Sequence, residues 1–345
     1  MKDEIRSSQL SFKQMLVAKK NRTLLILGNS VTGQNDGYAH CLSTNLIDQY
    51  PELSSVSRVS LGAMGSMGVA SFWSDLVTQK SPGIVFLDTS TADVGWATAV
   101  SDISLALEWI RDFAMQTDST LVLLHLPRND KYLMRRTEII DIYDKFAQKN
   151  GIASIDLQSV VEAMGIDDLL YDGVHTTPQG GRVISEVISS SLSNLSISIE
   201  DNANKIRSNS LGTRLVKFDD LNISGNFMNE FPYIELGCDQ TFLFDNSKEE
   251  LLGLQLVLSS QVGVISLETE EFKVKVQTWD KYLNQKSRLG YLPIPESIRG
   301  KGNVILRVLS DSLGEQNING EPTSIEHQGS KCRLIGAVVR TRHEH

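Results

Sequence analysis

Over the first half of the chain, short runs of consecutive apolar residues alternate with longer stretches of helical periodicity. Residues 23–27 form one such run and end at Gly28; 84–87 and 121–124 repeat it, and 56–61 and 152–155 read as two further strands. Between them, 37–49, 69–78, about 97–115 and 131–148 have the spacing of amphipathic helices. A last helix starts at Thr177-Pro178, with Thr177 as N-cap and Pro178 at the first helical position. Strands alternating with helices of this length imply right-handed βαβ crossovers, hence a parallel sheet with helices on both faces. Strands covered on both faces need no polar alternation, which fits these continuous runs.

Ahead of this pattern, residues 5–19 read as an amphipathic helix with Ile5, Phe12, Met15 and Leu16 on one side. Docking on its own domain or on a second subunit is expected rather than a membrane surface. After about residue 196 the texture changes. Residues 195–199, 233–236, 241–244, 254–258, 264–267, 272–276 and 304–308 read as strands separated by Asn-, Asp-, Ser- and Gly-rich stretches. That spacing suggests a β-sandwich. The polar stretch 200–213 reads as a linker and 311–329 as a long loop. The expected organisation is an N-terminal helix within 1–22, a three-layer α/β/α domain over 23–197, a linker over 198–213 and a β-rich, sandwich-like accessory domain over 214–345.

Composition narrows the function classes. The 345 residues suffice for two domains at roughly 150 each. The 33 Lys and Arg against 42 Asp and Glu give a net charge of −9, so nucleic acid is not an expected partner. Cys41, Cys238 and Cys332 lie far apart, with no CxxC pair and no disulfide framework, which suits a reducing compartment. The apolar runs fall far short of the ~20 residues a spanning helix needs. The N-terminus lacks an apolar signal core, so a cytoplasmic location without membrane attachment is expected. No GxxxxGK[ST] and no strand-borne GxGxxG occurs, so no nucleotide cofactor is expected. No metal site is expected either, the tail His343-Glu344-His345 being at most adventitious. The expected partner is a small-molecule or glycan ester, with homo-oligomerisation left open.

In an open parallel sheet, ligands sit beyond the carboxyl ends of the strands. In order, the strands are followed by Gly28-Asn29-Ser30, Gly62-Ala63-Met64-Gly65-Ser66, Asp88-Thr89-Ser90-Thr91 and His125-Leu126-Pro127-Arg128, while Tyr171-Asp172-Gly173-Val174-His175 precedes the last helix. A serine is a poor nucleophile until a base takes its proton, and imidazole is the side-chain base that titrates near neutrality. Asp172 stands three residues before His175, within reach of one turn.

With these residues the chain resembles the SGNH (GDSL-like) hydrolase superfamily over about 23–195. LILGNSVT is similar to its first block, SLGAMGSMG to its second and YDGVHTTPQGG to its last. The resemblance implies a flavodoxin-like sheet, Ser30 as nucleophile, His175 as base, Asp172 as its orienting carboxylate, and the main-chain N–H groups of Ser30 and Gly65 as oxyanion donors. Two departures stand out. Asn29 replaces the usual Asp of the first block, and the third block, FLDTSTAD, has no Asn, with Ser90 in its place. Ser90 is therefore the candidate third oxyanion donor, and loss of such a donor typically lowers turnover ~10²–10³-fold.

Asn29, His125 and Arg128 are candidate substrate contacts. Arg128, Lys131, Arg135 and Arg136 form a basic cluster, read as a contact for an anionic group or as a solvated helix start. Trp73 and Trp96 are read as an apolar wall of the site or as core. Cys41 beside His40 is a poor thiol candidate, because helix neighbours point apart. The expected function is a serine esterase removing a small acyl group, acetyl foremost, from a carbohydrate or similar polar substrate. The alternatives are an O-acetyltransferase acting on a sugar or polysaccharide precursor with the same residues, and a non-catalytic glycan-binding protein on this scaffold.

Overall fold

The structure is a computed structural model that describes residues 8–199 and, beyond them, 213–217, 231, 233–238, 240–245, 249–259, 263–277, 287–309 and 331–341. The chain divides into two compact units, Met1–Ser210 and Leu211–His345.

The first unit opens with β1 (Ser8–Ser11) and α1 (Phe12–Ala18). Next come β2 (Thr23–Gly28), α2 (Tyr38–Gln49), β3 (Ser55–Ser60), α3 (Ser66–Trp73) and a π-helical turn over Ser74–Thr78. The chain continues through β4 (Ile84–Asp88), α4 (Ser90–Trp96), α5 (Val100–Gln116), β5 (Thr120–His125), α6 (Leu133–Asn150) and β6 (Ala153–Asp156). Two short helices, α7 (Gln158–Ala163) and α8 (Ile166–Leu169), lead to α9 (Pro178–Ser193) and β7 (Ser196–Ile199). The five-stranded sheet runs β3-β2-β4-β5-β6, with every pair parallel. Strand order therefore reverses between β2 and β4. Gly28 is in register with Ser60 on one side and Asp88 on the other, so three strand ends lie level at this switch point, where ligands of such sheets bind.

Burial explains the pattern. Leu24, Ile26, Phe86, Val122 and Leu124 share one core with Phe12 and Leu16 of α1, Leu42 and Leu46 of α2, and Ile184, Ile188 and Leu192 of α9. Alternate residues Leu25, Leu27, Val85 and Leu87 are equally buried and face the other layer, where α3 to α6 pack on one another. The last helix starts as expected: Thr177 Oγ1 accepts from the Gly180 N–H at 3.0 Å, and Pro178 follows.

Three boundaries differ from the sequence expectation. Residues 8–11 form a strand, and helix begins at Phe12 behind a Ser11–Gln14 capping box; Ile5 lies outside the described residues. The stretch 97–115 does not start a helix at Ala97. That residue caps α4 with φ 53°, and the Thr98 N–H turns back to the Asp93 carbonyl before α5 begins. Strand 195–199, expected to open the β-rich part, pairs antiparallel with β1 and so closes the α/β unit.

The second unit carries β8 (Thr213–Lys217), β9 (Ile234–Gly237), β10 (Thr241–Phe244), β11 (Glu249–Ser259), β12 (Val264–Glu268), β13 (Lys273–Gln277), β14 (Ser287–Pro293), β15 (Val304–Leu309) and β16 (Lys331–Thr341). One antiparallel sheet runs β10-β15-β12-β13; the other runs β14-β11-β16-β8, with β9 also on β16. Leu254 and Leu256 of β11, Leu334 and Ala337 of β16, and Ile265, Leu306 and Val308 of the facing sheet fill one core. Strands β8, β14 and β16 were not expected; β16 is an apolar run at its centre rather than an alternating one. The expected linker over 198–213 and loop over 311–329 lie almost wholly outside the described residues, as does the tail at 343–345. No described helix is long and apolar enough to cross a membrane.

Candidate active site

The turn after β2 is fixed by its neighbours. A Cβ on Gly28 would stand 2.2 Å from Thr32 Oγ1 and 3.0 Å from the Asp88 carbonyl oxygen, so only glycine fits there. The Leu61 N–H donates to the Gly28 carbonyl at 2.8 Å, and Ser60 Oγ donates to the Asn29 carbonyl at 2.7 Å. The Asn29 side chain turns back to accept from the Val31 N–H at 3.2 Å. Ser30 is left at the surface of this clamped turn.

The second loop forms a small hairpin closed by a Leu170–Thr176 bridge and by the Tyr171 N–H on the His175 carbonyl at 3.0 Å. Gly173 sits at φ 79°, a conformation that favours glycine, with no room for a Cβ against the Asn129 carbonyl at 2.5 Å. Asp172 Oδ1 accepts from the His175 N–H at 2.7 Å and the Val174 N–H at 3.0 Å, and Oδ2 faces His175 Nδ1 at 2.7 Å. His175 Nε2 lies 2.9 Å from Ser30 Oγ. Burial raises the pKa of the Asp172 carboxyl, but hydrogen bonds from the His175 main chain and ring and from Val174 outweigh it, holding the pKa below the ordinary value. A carboxylate kept ionised beside Nδ1 fixes the tautomer whose Nε2 can take the Ser30 proton.

Gln34 holds the two loops together. Its Nε2 donates to the Thr176 carbonyl at 3.0 Å, and its Oε1 accepts from the Thr176 N–H at 3.0 Å. Thr176 directly follows His175, so this reciprocal pair sets His175 against Ser30. Gln34→Ala is expected to lower turnover ~10–10²-fold, the usual consequence of ångström-scale misplacement, with a smaller change in KM. Steady-state kinetics with a melting curve checks it; unchanged kcat in a folded variant would refute the positioning role.

Gly65 precedes α3 as its N-cap with an ordinary φ of −76°, so conformation does not demand glycine there. Space does: a Cβ would meet Asp93 Oδ1 at 2.1 Å. The Asp93 carboxylate is buried, accepts the Ser66 N–H on both oxygens at 3.1 and 3.2 Å, and takes the Tyr143 hydroxyl at 2.5 Å. Tyr143 in turn bonds Thr89 Oγ1 at 2.8 Å. This buried network fastens the 62–66 loop to the end of β4. Sequence reading missed Asp93, Tyr143 and Gln34; the only signal for Asp93 was its place within FLDTSTAD.

Asp88 is buried beside the Ser30 turn, with Thr91 Oγ1 donating to it at 2.9 Å and Thr32 Oγ1 at 3.5 Å. Burial dominates, with the Asp93 carboxylate adding to it, and raises its pKa from 3.8 to about 7 against the opposing hydroxyl bonds. A folded-state pKa above the unfolded one gives stability that is complete below the unfolded value and lost as pH rises through the folded value. Wild type should therefore lose several degrees of Tm relative to Asp88→Asn between pH 5 and pH 8. Parallel melting curves for the two proteins would refute the raised pKa.

Several expected contacts are placed elsewhere. Ser90, proposed as third oxyanion donor, is only 2% exposed, and its Oγ lies 3.1 Å from His125 Nδ1. His125 Nε2 is buried without a hydrogen-bond partner, with Asp144 Oδ1 3.7 Å away. The Ser90 hydroxyl is thereby paired with His125 in the interior. His125 itself is fully buried, and desolvation pushes its pKa down to about 4, so it packs neutral in the interior and is not a substrate contact. Arg128 is 6% exposed; it clamps Asp130 through two bonds at 2.7 and 2.8 Å and donates to the Thr91 carbonyl at 2.8 Å, so it ties loops together. Arg136 is likewise buried on Asp156, and Arg135 donates to the Val94 carbonyl at 3.1 Å. The three arginines of the basic cluster are thus spent on the fold, while Lys131 is exposed over the Tyr132 ring at 5.1 Å. Asn29 is buried beneath Ser30 rather than facing outward. Of the two tryptophans, Trp73 is core and Trp96 is exposed. Among the described residues no group of three or more His, Cys, Asp or Glu side chains could hold a metal ion.

A two-domain esterase active on acetylated mannans aligns over 96% of this chain and 94% of its own, at TM-score 0.62 and 15% identity. The same esterase co-crystallised with mannopentaose aligns equally well, at 13% identity. The chain thus shares the fold of that two-domain esterase, a parallel α/β unit followed by a β-rich unit. The α/β unit is the one that holds Ser30, His175 and Asp172. No family model and no curated protein sequence matches the chain.

Proposed function

We propose that the protein is a serine esterase that removes acetyl groups from a carbohydrate, with Ser30 as nucleophile, His175 as general base and acid, and Asp172 as orienting carboxylate. The observation that carries this reading is the unbroken relay from Ser30 Oγ through both imidazole nitrogens to Asp172. The fold shared with an esterase active on acetylated mannans supports the substrate class.

The steps follow from the geometry. Ser30 Oγ attacks the ester carbonyl carbon as His175 Nε2 takes its proton. The oxyanion that forms is met by the main-chain N–H groups of Ser30 and Gly65. Collapse breaks the bond to the sugar oxygen, which leaves with the proton from Nε2, and the acetyl stays on Ser30. Water then attacks the acyl carbon, His175 takes its proton, and acetate departs as Ser30 regains a proton. The Ser90 hydroxyl, turned toward His125, contributes no third donor.

A fluorophosphonate probe with peptide mapping tests the nucleophile: covalent label on Ser30 is expected, and a folded protein left unlabelled would overturn the reading. Acetate released from O-acetylated mannan oligosaccharides, in step with ester lost, supports hydrolysis. Acetyl recovered on an added sugar acceptor in place of acetate would replace it with acyl transfer.

A further inference from the structure

Two aromatic rings stand exposed in contact with the loops that build the proposed site. Of the large hydrophobic side chains exposed among the described residues, Trp96 (61%) and Tyr171 (64%) are the aromatic ones. The Tyr171 ring stacks on the His175 imidazole, with centroids 5.7 Å apart and planes within 19°. Trp96 ends α4, and its indole N–H donates at 2.6 Å to the carbonyl of Ala63, two residues before Gly65. Ala63 itself holds φ 57°, the left-handed conformation, in that loop.

An exposed indole or phenol ring gains by burying its face, and water removal favours collapse onto neighbouring apolar surface. Neither ring has done so. One is held out by its hydrogen bond to a carbonyl of the loop beside the proposed oxyanion glycine. The other rests on the proposed base, one residue before Asp172. Rigid aromatic faces with a polar edge give contact area at low entropy cost, which suits ligands that pair an apolar face with a rim of hydroxyls. A pyranose ring has that form. Arg128, Arg135 and Arg136 are committed to the fold and offer an anionic ligand no free guanidinium.

We propose that Trp96 and Tyr171 are stacking platforms for pyranose rings of an acetylated oligosaccharide, and that they set a preference for chains over small acetate esters. The proposal rests on the esterase reading for its substrate, but its binding test does not require turnover.

The test uses the full chain and Trp96→Ala, Trp96→Phe and Tyr171→Ala, each checked by melting curve. Calorimetric titration with mannopentaose, which carries no ester, should give a Kd about tenfold weaker in each alanine variant, with Trp96→Phe near wild type. With O-acetylated mannopentaose as substrate, kcat/KM relative to 4-nitrophenyl acetate should fall about tenfold in the alanine variants, mainly through KM. Mannopentaose binding that is equal in wild type and both alanine variants, or absent from wild type, would overturn the proposal. So would a Trp96→Phe variant as impaired as Trp96→Ala with both substrates falling together, which would make Trp96 a positioning residue for the Ala63 loop. Mannopentaose bound through the rings without any acetate release from either substrate would instead remove the esterase reading and leave the platforms standing. Normal hydrolysis with unchanged KM in the alanine variants would do the reverse.

Discussion

Ser30→Ala is expected to abolish turnover to within measurement, a loss of up to ~10⁶-fold in kcat, while substrate binding and fold persist. The argument is local. Ser30 Oγ has one side-chain partner, His175 Nε2 at 2.9 Å, and the turn that carries it is fixed by other atoms: Gly28 against Thr32 and Asp88, Ser60 on the Asn29 carbonyl, and Asn29 on the Val31 N–H. Removing one exposed oxygen leaves those contacts intact, so the melting temperature should hold to within about a degree. Acetate release from 4-nitrophenyl acetate and from an acetylated oligosaccharide should vanish together. A folded Ser30→Ala protein with wild-type kcat would remove the nucleophile assignment, whatever the fate of the sugar assignment.

Gly65→Ala is expected to be strongly damaging for a single added methyl. The added Cβ falls 2.1 Å from Asp93 Oδ1 and 3.1 Å from its Cγ. Asp93 cannot swing aside cheaply, because its buried carboxylate holds the Ser66 N–H and the Tyr143 hydroxyl. The loop must move instead, and the Gly65 N–H moves with it. A displaced oxyanion donor should lower kcat ~10²–10³-fold with a modest change in KM. The same strain should destabilise the fold by about 1–3 kcal/mol. Gly95→Ala is the matched control: its nearest neighbour is an Arg128 nitrogen at 3.8 Å, and it lies within α4, so alanine should be tolerated or slightly stabilising. If Gly65→Ala retained full kcat, Gly65 would not be an oxyanion donor.

The legible parts of the structure were those where one physical constraint dominates. Strands β2, β4 and β5 could be read because a sheet covered on both faces demands unbroken apolar runs. The Asp172–His175 pair was legible because three residues of separation lie within one turn, and its order with Ser30 along the chain matches the sheet's switch point. The break at Ala97 was hidden, since alanine is the best helix former and its left-handed φ is set by the Thr98 N–H returning to Asp93. Strand β7 was read with the β-rich texture, and its pairing inside the first unit was hidden, because a four-residue strand carries no mark of its partner, and its partner β1 stands at the other end of the unit. Ser90, His125 and Arg128 follow strand ends as ligand-binding residues do, yet a strand end has an inward and an outward side. Which side a side chain takes depended on the pairing of Ser90 with His125 and of Arg128 with Asp130 and Thr91, partners between two and 37 residues away. Gln34 was unreadable for the same reason: nothing in a polar loop residue announces a partner at Thr176.

The pairing of β1 with β7 also sets a timetable. Ser8 and Ile199 are partners, so the first strand of the chain must wait for nearly 190 further residues before its hydrogen-bonding edge is covered. At ~5–20 residues per second that is about 10–40 s of synthesis during which residues 8–11 have no β7 to pair with. Closure of the unit is therefore a late event, and a ribosome stalled before residue 199 would hold the chain with β1 still lacking its β7 partner.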